Sequence, residues 1–317
     1  MSEASLLAVM QGVLPGAADW MRQDTFVDET GQVFTTDLLV AGQHFDTAYM
    51  TPEDIGWRAG AVNLSDLAAT GAVPRYVLVS LGLPEDDAAW VLGFYQGLQA
   101  LLACHGGMVI GGDTVRAAVT VVNIAAIGQM APGSQPGRRH LAQPGDWIVT
   151  TGFSGLSAVG LRALQASWPD LKAAKQAHRR PTPRLKAGQA LAQHYPRLAM
   201  MDTSDGLADA ALKLAEASHV CLQLEASALR VHPALAEAAA RVEASVWPWL
   251  LYGGEDFELL ATVPPPCDPA EAEWMASLDI YRVGQVVAST AGSPAAWVRY
   301  PDGREEVLGY EGTYQHF

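Results

Sequence analysis

Five aspartates stand where apolar segments break or end, each beside glycine or a hydroxyl residue. Asp37 closes Thr35-Thr36-Asp37 inside the run Val33–Val40, and Asp113 closes Gly111-Gly112-Asp113 after Met108-Val109-Ile110. Asp202 and Asp205 bracket Thr203-Ser204 ahead of Gly206, and Asp66 follows Asn63 at helical spacing, which puts both on one face. Glu255 and Asp256 follow Gly253-Gly254. Taken singly, an Asp before Gly is ordinarily a turn residue, and an Asp or Ser ahead of a helix is a cap. The repetition points further. Carboxylates converging in space cannot all stay ionised without cations. Oxygen-only ligands of this kind suit Mg²⁺, which phosphate oxygens commonly share. The chemistry indicated is a Mg–nucleotide site built from carboxylates.

Competing chemistries lack their residues. None of the four lysines (Lys172, Lys175, Lys186, Lys213) follows a glycine, so the phosphate-binding GxxxxGK[ST] loop is absent, as is GxGxxG. There is no HExxH and no GxSxG. Zinc chemistry and serine hydrolysis have no support.

The elements that must position these acids alternate between strand and helix. Strand-like runs fall at Val33–Val40, Tyr76–Leu81, Met108–Ile110, Val119–Ile127, Trp147–Thr151, Leu198–Met201 and Leu259–Val263. Helical patterns span Pro52–Thr70, Asp87–His105, Leu156–Gln165, Leu185–His194, Leu207–Ser218 and Pro233–Ala244. The pattern predicts an α/β (α+β) protein. Thr51 is a suitable N-cap, Pro52 suits the first helical position, Asp54 completes a capping box, and Gly71 stops the helix. The stretch Ala131–Asp146, rich in proline and glycine, reads as a domain boundary or a functional loop. It divides an N-terminal domain, 1–135, from a C-terminal one, 136–317.

Composition narrows the partners. The 317 residues carry 34 Asp and Glu against 20 Lys and Arg, a net charge of −14, and half are hydrophobic. Disorder is excluded as a global description, and so negative a surface repels nucleic acid and anionic lipid. Cys104, Cys221 and Cys267 are widely spaced and form no CxxC pair, as in a reducing compartment. No basic leader precedes the apolar run Leu6–Met10, and no stretch is long enough to span a membrane, so a cytoplasmic protein is expected.

Six motifs taken together carry a family resemblance. TTDLLVAGQHF (Thr35–Phe45), NLSDLAATGAVP (Asn63–Pro74), GGDT (Gly111–Thr114), RRPTPR (Arg179–Arg184), MDTSDGLADA (Met201–Ala210) and GGEDFELL (Gly253–Leu260) follow the order and spacing of the thiamine-monophosphate kinase family. The final GTYQHF (Gly312–Phe317) is also similar. The resemblance implies a two-domain fold of the aminoimidazole-ribonucleotide-synthetase type, a homodimer formed through the N-terminal sheets, and phosphoryl transfer from ATP to thiamine monophosphate. It implies that Asp19, Thr35, Thr36, Asp37, Asp66, Asp113, Asp202 and Asp205 bind or support several Mg²⁺ ions. Gly112, Asp113, Arg139 (or Arg138) and Ser204 would meet ATP, and His44, Glu255 and Tyr314 the thiamine phosphate. RRPTPR is either a solvated basic loop or a mobile cover over phosphate.

One departure concerns the GIGDDA-type loop that the family carries before its first strand. Here the stretch is Leu14–Trp20, where only Asp19 survives, reached by a one-residue shift in spacing. No covalent nucleophile or general base is expected, because a phosphate monoester with a second pKa near 6 is already largely an oxyanion at neutral pH. Alternatives within the superfamily are a non-catalytic nucleotide- or thiamine-phosphate-binding paralogue and another ATP-using enzyme. A selenophosphate synthetase would need a reactive Cys near its N-terminus, and the hydrogenase-maturation relative a C-terminal Cys. This chain has its first cysteine at Cys104 and ends in His316-Phe317.

Overall fold

The computed structural model describes residues 3–14, 16, 23–266, 269–289 and 293–313. In chain order the first half holds α1 (Glu3–Val13), β1 (Phe26–Val27), β2 (Gln32–Val40), α2 (Pro52–Thr70), β3 (Val73–Leu83), α3 (Ala88–His105), β4 (Met108–Arg116) and β5 (Val121–Gln129). The second holds β6 (Trp147–Thr151), α4 (Leu156–Gln165), α5 (Lys172–Arg179), α6 (Leu185–His194), β7 (Ala199–Asp202), α7 (Leu207–Ser218), β8 (Cys221–Glu225), α8 (Pro233–Arg241), α9 (Trp247–Tyr252), β9 (Leu259–Val263), α10 (Pro269–Ser277), β10 (Ile280–Val287), β11 (Ala295–Arg299) and β12 (Glu305–Val307).

The first half folds into a five-stranded sheet in the order β1-β2-β5-β3-β4, parallel only at β3–β4, where α3 makes the crossover. Strand alternation gives the sheet two different faces. Val33, Leu39, Val77, Val79, Leu81, Val122, Ile124 and Ala126 point inward and are buried under α2, in one cluster with Phe94, Leu98 and Leu101 of α3. The outer face carries Phe34, Leu38, Tyr76, Leu78, Ile110 and Val115, each more than a third exposed. The second half builds a seven-stranded sheet, β12-β11-β8-β10-β6-β9-β7. One of its faces, covered by α4, α7 and α9, forms a separate core around Leu207, Leu214, Leu222 and Leu250.

Helix α2 joins the two halves. It is held at its start by the capping box Thr51–Asp54 and stopped at Gly71, whose φ is +85°. It packs on α3 and the first sheet, and also on α6 and β7 of the second half. One continuous core therefore runs from Ile124 and Leu64 to Leu191, Met200 and Ala261. The loop Ala131–Asp146 crosses beside it, with Gly137 N–H donating to Thr70 O (3.1 Å) and Arg138 N–H to Leu198 O (3.1 Å).

Two motif acids lie differently in the chain than their sequence context indicates. Asp113 does not end an apolar run; strand β4 continues through it to Arg116. Asp37 likewise sits within β2 without interrupting it. β-Ladder pairing is made by the backbone and accommodates polar side chains, so the run of apolar residues understates the strand.

Candidate active site

Three elements deliver the carboxylates to one place. Strand β2 points Thr35 and Asp37 to the inner face, α2 brings Ser65 and Asp66 across from them, and β7 ends at the buried Asp202. Thr35 Oγ1 donates to Asp66 Oδ2 (2.5 Å), Ser65 Oγ to Asp202 Oδ2 (2.6 Å) and Ser204 Oγ to Asp202 Oδ1 (3.2 Å). A further acid completes the group. Asp24, just ahead of β1, has a carboxylate oxygen within 4.8 Å of those of Asp66 and Asp202. Thr35 Oγ1 also donates to Asp24 O (3.3 Å), and the β1–β2 hairpin, closed by Asp28 accepting from Thr30 and Gln32, fixes its approach.

Crowding and burial show in the titration of these groups. Burial, then the neighbouring Asp24, raises Asp37 to about 6. Burial, with Asp24 next, lifts Asp202 to about 7. Asp66 is pushed well above the usual carboxylate range by burial and then by Asp37, Asp202 and Asp24. A cluster of oxygen ligands whose charges repel in a dry site is what a hard divalent cation relieves, so these residues fit Mg²⁺.

Two basic side chains flank the cluster. Arg139 forms an ion pair with Asp24 through Nη2, its backbone N–H donates to Gln23 Oε1 (3.0 Å), and Ser218 Oγ donates to its carbonyl (3.0 Å). Although burial alone would lower it, the Arg139 pKa is raised by Asp24, Asp202 and Asp66. Lys213 lies beyond, 3.1 Å from Asp205 Oδ2 and 2.7 Å from Asp209 Oδ2. Arg138, the alternative sequence candidate, pairs with no acid among the described ion pairs.

Glu255 occupies the adjoining wall. Its φ of +65° is unusual for a residue with a side chain, and its N–H donates to Ser204 O (2.6 Å), tying the GGED loop to the DTSDG loop. Gly254 is required at this crossing, because a Cβ there would stand 2.7 Å from Ser204 O. Arg58, fully buried on α2, donates from Nη2 to Glu255 and from Nη1 to His178 O (2.5 Å), and His178 Nδ1 is 3.5 Å from Glu255 Oε2. Burial would raise Glu255, but Arg58 and His178 hold it below the usual range. Burial, reinforced by Arg58, lowers His178 to about 4, so it is neutral at pH 7. His44 contributes to the field on Glu255, and its Nδ1 accepts the Val40 N–H (3.1 Å).

The RRPTPR segment is pinned in place. Arg180 Nε donates to Asp54 (2.6 Å), Arg184 donates twice to Glu258 (2.6 and 2.5 Å), and Pro181 O accepts from Trp57 Nε1 (2.8 Å). In this structure these bonds make it a strut between α2 and the residue that leads into β9.

The sequence-derived site residues therefore divide. Thr35, Asp37, Asp66, Asp202 and Ser204 come together, with Arg139 beside them and Glu255 and His44 adjoining. Asp205 is paired with Lys213. Thr36 and Asp113 turn to the outer face of the first sheet, where Thr36 Oγ1 accepts from Asn123 (2.9 Å) and Asp113 shares a hollow of about 340 Å³ with Leu38 and Ser80. Gly112 packs so tightly on β3 that a Cβ would stand 1.7 Å from Val79 O, a structural reason for that glycine. Asp19 and Tyr314 lie outside the described residues. Sequence reasoning missed Asp24, Arg58, His178 and Lys213. Only Asp24 carries a signal: like the other acids, it adjoins a hydroxyl residue at the edge of a short apolar pair, Phe26-Val27.

Comparison with known proteins places this architecture. Residues 18–130 match the AIR synthase related protein N-terminal domain, and residues 143–295 the corresponding C-terminal domain. The chain is 36% identical over 329 residues to the thiamine-monophosphate kinase of Synechococcus elongatus, covering 100% of this chain and 97% of that protein. It is 38% identical over 240 residues to that of Bacillus subtilis, covering 73% and 72%. A solved structure described as AaThiL complexed with AMPPCP and TMP superposes with a TM-score of 0.87 at 28% identity, covering 100% of this chain and 97% of that one. Two AIR-synthase-type domains thus define the class. Within that class, the chain belongs to the thiamine-monophosphate kinase family.

Proposed function

We propose that this protein transfers the γ-phosphoryl group of ATP to thiamine monophosphate, giving thiamine diphosphate, with Mg²⁺ ions held by Asp24, Asp37, Asp66 and Asp202. The observation that carries this reading is the joining of the carboxylate cluster to the Glu255 wall through the Ser204–Glu255 backbone bond. A cation-binding group and an anionic wall then lie side by side. When bound, Mg²⁺ neutralises charge between carboxylates and phosphate oxygens and polarises the transferred group. The chain's residues do the rest. Arg139 is placed to fork onto phosphate oxygens on leaving Asp24, and Ser204 offers a hydroxyl at the same edge. Glu255, kept ionised by Arg58, faces the substrate's cationic thiazolium, with His44 nearby. Among the described residues no side chain is positioned as a nucleophile, and none is needed for an acceptor that is already anionic, so in this reading transfer is direct and in line.

The assembly is a homodimer in this reading. The exposed apolar outer face of the first sheet supports it, because monomeric proteins rarely leave so many large apolar side chains contiguous in water. Within one chain Thr36 on β2 and Asp113 on β4 are separated by β5 and β3, roughly 14 Å at ordinary strand spacing. A second copy seated on this face would bring one chain's Asp113 toward the other's Thr36, the way for Asp113 and Gly112 to serve a nucleotide site. No helix among the described residues is long and apolar enough to cross a membrane, and the proposed place of action is the cytoplasm.

Steady-state ADP release over a panel of phosphorylated acceptors, with and without Mg²⁺, tests the activity. Release should require both Mg²⁺ and thiamine monophosphate. Equal release with every acceptor, or with none, would overturn the assignment.

A further inference from the structure

Helix α7 brings an ammonium group to an unusual place. Lys213 lies two turns into the helix, yet its Nζ reaches back to Asp205, just ahead of the helix start, and to Asp209 in the first turn. The N-terminal end of a helix repels cations, so a lysine held there needs compensating acids. Both are present. Asp209 is buried and four residues away on the same helix, so it anchors Lys213 independently of Asp205. The Lys213 side chain is only a third exposed, and Arg139 is close enough to oppose its charge. It therefore belongs to the same electrostatic unit as the carboxylate cluster.

We propose that Lys213 is a resident cation that fills, beside Asp205, the position a divalent ion would otherwise take, so that Asp205 holds an ammonium and not a metal in this chain. The inference rests on the metal reading above and refines it: ions gather at Asp24, Asp37, Asp66 and Asp202, while the Asp205 side of the site carries built-in positive charge. An ammonium has three donors, and Asp205 and Asp209 engage two of them. The third is left for a phosphate oxygen of the nucleotide, which makes Lys213 a positioning and charge-balancing residue for the polyphosphate.

The test counts ions. Mn²⁺ binding is measured by electron paramagnetic resonance on the full chain in the presence of AMPPCP. Lys213→Ala should bind one more Mn²⁺ per chain than the wild type, and Lys213→Arg, which keeps the charge, should match the wild type. Asp205→Asn, with Lys213 intact, should lose no ion, and this arm decides the matter if the alanine variant fails to fold. Equal counts for wild type and Lys213→Ala, or loss of one ion in Asp205→Asn, would overturn the proposal. A wild-type chain that binds no Mn²⁺ would bring down the carboxylate metal reading and this refinement with it.

Discussion

Asp37, Asp66 and Asp202 each hold protons in the folded chain at pH values where a free carboxylate has released them. An unfolded Asp titrates near 3.9, whereas Asp202 titrates at about 7 and Asp37 at about 6. The folded state thus binds more protons at this cluster across that interval, and the contribution of the cluster to stability falls as pH rises from about 4 to about 7, three acids outweighing the opposing His178, which is neutral in the fold down to about 4. Above it the repulsion is fully present. The metal-free chain should therefore melt at a higher temperature near pH 5 than near pH 7.5, read by calorimetry in EDTA with attention to this cluster. Asp202→Asn should flatten that dependence, and added Mg²⁺ should raise the melting temperature more at the higher pH. Turnover should be lost in Asp66→Asn or Asp202→Asn while the folded state survives, checked by the ADP assay alongside circular dichroism. The acids themselves were legible because each is a charged residue beside glycine or a hydroxyl residue in an otherwise apolar stretch of sequence. Asp24 carries the same mark more faintly, since the apolar pair it precedes, β1, is two residues long and too short for periodicity to register. Arg58 and Lys213 escaped for another reason: a cation on a helix looks solvated until the fold supplies its acids.

At the scale of elements, α2 shows why local chemistry predicts some segments to the residue. Its cap, first-turn proline and terminal glycine are all short-range signals, and Pro52–Thr70 stands as read. Strand β8 and helix α5 lack such marks and came only with the fold, the latter opening on Leu171 in a left-handed conformation (φ +57°). The α2–α3 crossing is close because glycines meet backbone. A Cβ on Gly56 would stand 1.9 Å from Phe94 O, and one on Gly97 the same distance from Glu53 O. Gly97→Ala should destabilise the chain by about 1–3 kcal/mol, measured by urea unfolding. The same helix carries Arg58. Arg58→Met leaves Glu255 facing a buried gap without its counter-charge, and because Glu255 is a third exposed the loss should lie near the lower end of the ~3–5 kcal/mol typical of broken buried pairs. The KM for thiamine monophosphate should rise with it.

For the whole molecule, the two faces of the first sheet have different destinies. Light scattering should give twice the chain mass in solution, and Leu38→Asp or Leu78→Lys, on the outer face, should halve it and abolish activity with little change in circular dichroism. The inner face has a different consequence. Because one core passes from Ile124 through α2 to Met200 and Ala261, the halves 1–135 and 136–317 are not separable parts. Severed within Ala131–Asp146, the C-terminal piece would lose the helix that roofs its inner side and should precipitate when produced alone. Produced together, the two pieces should find each other and regain activity, behaving as complementing fragments of one folding unit.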